Sequence, residues 1–236
     1  MNIQKTIETI DWKSVASSLN EKGFALVPQI LSANQCKLLI ENYDRGDGYR
    51  KTVLMERHRF GLGEYKYYDY PLPGLVRELR ESIYPYLVPI ANLWMKVLKI
   101  DRQFPDNHGE LINQCHTKDQ IHPTALILKY GKGGFNTLHQ DLYGEVYFPL
   151  QAALFLNDST KEYDGGEFVL AEQIPRAQSK VVVLRPNRGD LMIFTTNFRP
   201  IKGSKGYYRA NVRHGVSEVL AGERHTLGII FHDAIK

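Results

Sequence analysis

At 236 residues, 43% hydrophobic and 24% charged, the chain has an ordinary globular composition and enough length to bury one large core. Two cysteines, Cys36 and Cys115, are too few for a disulfide framework; neither the opening MNIQKTIETIDWKS nor any later run has the apolar length of a signal peptide or membrane span. We therefore expect a reducing, cytoplasmic location and no membrane partner, and with a formal net charge of only +4 any pull on an anionic partner must come from local clustering.

In chain order, Trp12, Val15 and Leu19 recur at helical spacing between Asp11 and Glu21, and Gly23 supplies a C-cap. A short strand follows over Phe24 to Pro28. Ser32-x-x-Gln35 reads as a capping box opening a second helix to about Tyr43, stopped by the turn residues Asp44, Gly46, Asp47 and Gly48. From Tyr49 to Pro73 the chain becomes aromatic and basic with strand-like alternation, which predicts a hairpin; a substrate lid and simple aromatic cover for the core are both open readings. Leu75 to Ile100 is mainly helical, interrupted or kinked at Pro85 and Pro89, and a short helix is expected around Glu110 to Lys118.

After Pro123 the pattern changes to short β-branched and aromatic runs separated by Gly, Pro, Asn and Asp. Eight are legible: ALILKY, FNTLH, VYFPLQAALFL, EFVLA, KVVVL, DLMIF, YRANVRHGV and HTLGIIF. Such a series predicts an all-β core of the sandwich or jelly-roll type, with the earlier helices packed outside one sheet. The whole is expected to be a single domain, 1–236, with 1–123 as helical and hairpin support and 124–236 as the core; no linker or internal repeat divides it.

The strongest chemical signal lies in Tyr130 to Asp141, YGKGGFNTLHQD. In extended chain residues two apart face the same way, so His139 and Asp141 can converge on one ion. A third ligand from a distant strand, for which His214 is the candidate, completes a two-His, one-carboxylate set that leaves adjacent positions open, as in non-haem Fe(II) oxygenases. The rival triplet His108-Gly-Glu110 follows no strand-like run. His225 should face away from its neighbour Arg224, His232 and Asp233 are adjacent rather than two apart, and His58, His116 and His122 have no evident partner; all five are expected to be structural or surface groups.

Six ordered blocks, HQDLYGE, FPLQAALFLND, GGEFVLAEQ, GDLMIF, YYRANVRHGV and RHTLGIIFHDA, resemble the 2-oxoglutarate/Fe(II)-dependent dioxygenases, most of all a bacterial group named for oxidation of damaged nucleic acid. The resemblance implies a double-stranded β-helix, Fe(II) on His139, Asp141 and His214, and hydroxylation of a C–H bond with 2-oxoglutarate and O2 giving succinate and CO2. It also implies a cation for the distal carboxylate of 2-oxoglutarate. A guanidinium bonds both oxygens and keeps its charge, and Arg224, ten residues after His214, resembles the basic residue of prolyl-hydroxylase-type members. Tyr130, nine residues before His139, stands where several members offer a phenol; Thr226 has a weaker claim beside Arg224, and Asn136 either orients the cosubstrate or forms the turn.

The substrate stays open. Alkylated nucleic acid is implied by the group name and fits the nine basic residues against one acid from Arg176 to Arg213, a run that a solvated rim of loops explains equally well. Demethylases of that kind place two arginines six apart, whereas here the residue six after Arg224 is Ile230. The spacing of Arg224 favours a prolyl-type protein or amino-acid side-chain hydroxylase, and a non-enzymatic jelly-roll binding module is a third reading.

Overall fold

The computed structural model describes residues 3–174, 176 and 178–236. Its first part holds helices α1 (Ile3–Glu8), α2 (Trp12–Lys22) and α3 (Ala33–Tyr43), with strand β1 (Phe24–Val27) between the last two. The Asp11 carboxylate accepts from Ser14 N to start α2, and Gly23, at φ 80°, closes it in the left-handed conformation that glycine adopts most readily. Both reciprocal bonds of the Ser32–Gln35 capping box are present at α3.

The aromatic segment forms β2 (Tyr49–Leu54) and β4 (Glu64–Tyr68), paired antiparallel, with the two-residue β3 (Gly61–Leu62) in their connection. Helix α4 (Gly74–Val97) then runs unbroken through Pro85 and Pro89, and α5 (His108–His116) follows. From there the chain is strand-rich: β5 (Leu126–Tyr130), β6 (Phe135–His139), β7 (Leu150–Phe155), β8 (Tyr163–Gly165), β9 (Phe168–Gln173) and β10 (Lys180–Leu184). It ends with β11 (Leu191–Thr195), β12 (Phe198–Gly203), β13 (Gly206–Val216), β14 (Val219–Gly222) and β15 (Arg224–Ile230).

Two antiparallel sheets result. The larger has the order β1-β11-β7-β15-β5-β4-β2; the smaller has β10-β9-β13-β6-β3, with β12 added on β13, and β14 pairs β8 separately. Strand periodicity sorts the larger sheet's side chains into two layers. Ile127, Leu150, Leu154, Leu191, Ile193, Leu227 and Ile229 face a core shared with Leu19, Leu79, Ile83, Leu87 and Trp94 of the helices. The alternate residues Ala153, Phe155, Met192 and Phe194 meet Phe168, Leu170 and Val212 of the smaller sheet. A one-residue slip in any central strand would exchange those layers, so the register is strongly specified.

This is the expected jelly-roll core with helices outside one sheet. The eight anticipated strands are present, joined by β8, β12 and β14, which the sequence pattern did not signal. Among the described residues no helix is long and apolar enough to cross a membrane, and Cys36 and Cys115 are both buried free thiols.

Candidate active site

The turn Gly131 to Gly134 carries the chain from β5 in one sheet to β6 in the other. Gly133 lies at φ 81°, its N–H donates to Val219 O at 2.7 Å, and Val219 N–H donates back to Gly134 O at 2.7 Å. That crossing sets β6 against β13 with His139 directly opposite His214, their ring centroids 4.2 Å apart. Asp141 follows β6 and faces the same point: its Oδ2 is 3.2 Å from His214 Nε2 and its Oδ1 is 3.6 Å from His139 Nε2. One ligand atom from each of the three lies within 4.8 Å of the others, a His-Asp-His facial triad, and among the described residues no other such group of three occurs.

Local bonding prepares the donors. His139 Nδ1–H donates to Thr137 O at 2.8 Å, which leaves the Nε2 lone pair free for an ion. His214 is buried, and burial lowers its pKa with help from His139, against the pull of Asp141. For Asp141 burial pushes the pKa up, but the two imidazoles and the Tyr143 hydroxyl outweigh it, so the carboxylate is held ionised well below its usual range.

Arg224 opens β15 opposite Tyr130 of β5. Its side chain is 1% exposed, and Nη1 donates to Thr226 Oγ1 at 2.8 Å while Nε and Nη2 are buried without a hydrogen-bond partner. Orphaned guanidinium donors in a protein interior are costly unless an anion takes them. The Tyr130 hydroxyl accepts from Asn136 Nδ2 at 3.2 Å; burial, opposed by the Arg224 charge, pushes its pKa up to about 12. Tyr163 of β8 also borders Arg224, and it went unnoticed in the sequence, as did Tyr143, whose hydroxyl donates to Asp141 Oδ1 at 2.8 Å.

Tyr130, Asn136, His139, Asp141, His214, Arg224 and Thr226 all line one cavity of about 60 Å³, walled by Phe168, Phe194 and Val216. It adjoins a second of about 170 Å³, with Leu126, Leu128, Asn136, His139 and Asp141 common to both and Phe60, Tyr65, Tyr67 and Tyr143 forming its outer wall. The donor set, the open metal-facing lone pairs and the unpartnered guanidinium fit a divalent metal and a dicarboxylate together.

None of the remaining histidines belongs to the triad, although the His232 ring lies 6.0 Å from that of Tyr143. His108 Nε2–H donates to Phe231 O at 2.8 Å, His225 meets Asn157 Oδ1, and His116 Nε2 lies 3.1 Å from Asp233 Oδ2, a partner not evident from the sequence. A larger cavity of about 610 Å³ between α4 and α5 has Arg80 in its wall, bound to Asp233 at 2.7 Å, and contains none of the triad.

A protein-family model described as "Oxygenase, catalysing oxidative methylation of damaged DNA" matches residues 63–234. An uncharacterized protein of Mycobacterium tuberculosis is 44% identical over 164 residues, 70% of this chain and 70% of the relative. Among solved structures, an oxidoreductase of the 2OG-Fe(II) oxygenase family from Burkholderia pseudomallei superposes with a TM-score of 0.54 at 14% identity, covering 96% of this chain and 93% of the other. A Pseudomonas putida prolyl-4-hydroxylase does so with a TM-score of 0.51 at 18% identity, covering 92% and 96%. At those identities the likeness establishes the fold.

Proposed function

The chain belongs to that oxygenase family, within the 2-oxoglutarate/Fe(II)-dependent dioxygenases, and from this we propose that it hydroxylates a C–H bond of an uncharged side chain in a protein or amino acid. The observation that carries the reading is the meeting, in one cavity, of the triad with an arginine whose Nε and Nη2 lack partners. A non-enzymatic binding module, one of the sequence-based readings, gives way to an enzyme on the same ground.

When bound, Fe(II) supplies oxygen activation coupled to decarboxylation of 2-oxoglutarate to succinate and CO2. His139, Asp141 and His214 would hold the ion. Arg224 would take the distal carboxylate of the cosubstrate in a charge-assisted pair, its guanidinium steadied by Thr226 and flanked by the Tyr130 hydroxyl, itself oriented by Asn136. Phe155, on which Arg224 also packs at 5.3 Å from the ring centroid, joins Phe168 and Phe194 in keeping water from that end.

For the substrate, the outer cavity of about 170 Å³ is walled by four aromatic rings, and among the described residues Asp141 is its only carboxylate, with no lysine or arginine in its lining. Such a pocket favours a neutral, ring-sized group, for which a prolyl or similar side chain is the best match. Damaged nucleic acid is the second reading, favoured by the family description and by aromatic walls suited to stacking a base. Against it, Arg185, Arg188 and Arg199 of the basic run are engaged by Asp164, Glu162 and Glu172, which reduces the charge left for phosphates.

Succinate release, measured by mass spectrometry across proline-containing peptides, free amino acids and methylated oligonucleotides, separates the readings. We expect substrate-stimulated release with peptides or amino acids and none above background with oligonucleotides. The reverse pattern would transfer the assignment to nucleic acid.

A further inference from the structure

The two oxygens of Asp141 have unequal surroundings. Oδ2 looks toward His214 Nε2 at 3.2 Å, whereas Oδ1, 3.6 Å from His139 Nε2, also accepts a 2.8 Å hydrogen bond from the Tyr143 hydroxyl. Tyr143 is itself held: its oxygen accepts from Tyr67 Oη at 3.2 Å, its ring meets Tyr67 edge-on at 6.3 Å, and its other side lies against His232 at 6.0 Å. Tyr67 is fixed in turn by pairing of β4 with β5 and by the Arg50 guanidinium 4.7 Å over its ring. A chain of two phenols thus ties one carboxylate oxygen to β4 of the larger sheet.

The consequence is one of coordination number. An octahedral ion offers six positions. Two imidazoles and one carboxylate oxygen would take three, a chelating 2-oxo acid would take two, and one would remain for O2. Carboxylates bind metal ions through one oxygen or through both, and binding through both would fill that last position. A charge-assisted bond from a phenol engages one of the lone pairs that chelation would use.

We propose that Tyr143 is a positioning residue that holds Oδ1 of Asp141 away from the metal, so that the carboxylate ligates through a single oxygen and the oxygen-binding position stays open. The proposal rests on the metal-centre reading above. It concerns an interaction two residues beyond the ligand, in a phenol that also lines the outer cavity.

The test uses the full chain as wild type, Tyr143→Phe and Tyr67→Phe, each loaded anaerobically with Fe(II) and 2-oxoglutarate and titrated with nitric oxide as a surrogate for O2, followed by the high-spin iron–nitrosyl EPR signal. Tyr143→Phe is expected to keep Fe(II) and 2-oxoglutarate affinity within about threefold of wild type while weakening nitric oxide binding by about tenfold or more, the size of effect typical for losing a bond to a charged acceptor. Tyr67→Phe, which leaves the Tyr143 hydroxyl but removes the bond that orients it, should shift nitric oxide affinity the same way by about threefold. A merely structural role would instead weaken metal and nitric oxide binding in step. That pattern, or unchanged nitric oxide affinity in Tyr143→Phe, overturns the proposal alone, because the wild type still holds iron. Should Tyr143→Phe not fold, the Tyr67→Phe titration decides by the same criterion. Failure of the wild type to bind Fe(II) overturns the proposal together with the reading beneath it.

Discussion

Arg224 is the residue whose surroundings are hardest to explain without a ligand. A buried guanidinium with one bond to Thr226 and two unpartnered nitrogens faces a desolvation cost that a structural ion pair normally offsets, as Asp233 does for Arg80. Lysine offers a compact ammonium in place of the planar fork that matches the two oxygens of a carboxylate. Arg224→Lys should therefore weaken 2-oxoglutarate binding by about tenfold to a hundredfold, as expected for replacing a bidentate charged contact, and leave Fe(II) affinity at the wild-type level. Anaerobic calorimetry measures both; unchanged 2-oxoglutarate affinity would remove Arg224 from the proposed role. At this scale the sequence was informative where residues are related by strand spacing. His139 and Asp141 follow from a two-residue interval, and Tyr143, a further two along in HQDLY, was within reach of the same argument. Tyr163 was not, because its place beside Arg224 is set by the pairing of Tyr163 with Gly222 across β8 and β14.

Between elements, the proposed metal centre depends on how closely β6 and β13 approach. A Cβ added at Gly215 would come within 2.6 Å of Asn136 O and 3.3 Å of Thr137 O, and the latter is the carbonyl that fixes the His139 ring. Gly215→Ala should therefore force the two strands apart at the ligands. Overpacking of this kind costs about 1 to 3 kcal/mol, so Fe(II) affinity is expected to fall by about tenfold in a chain that still folds; wild-type affinity in an anaerobic Fe(II) titration would show that the close approach is not needed. Capped helices and central strands were the legible elements, since caps and alternation are local signals. β12 escaped because FRPIKG contains Pro200 and pairs on one side only, the position in a sheet where proline is tolerated. β8 and β14 are too short to alternate. Pro85 and Pro89 signal an interruption or a kink, and α4 is not interrupted at either; its buried face from Val76 to Met95 packs on the sheet and offsets their cost, about 3 kcal/mol each.

Across the whole molecule, layering was legible because side-chain alternation divides the larger sheet into a helix-facing and a cavity-facing side. The basic run was legible only as a count: three of its arginines are engaged by acids that lie outside the run, on other parts of the fold. The fold brings three candidate metal ligands and an arginine with two unpartnered nitrogens into a single cavity between the sheets. The most direct test is an anaerobic titration of Fe(II) and 2-oxoglutarate into the full chain, read by visible absorption. The wild type should develop a weak charge-transfer band that requires both additions, and His139→Ala and Asp141→Ala should each abolish it; a band of full intensity in both variants would contradict the metal centre on which the account depends.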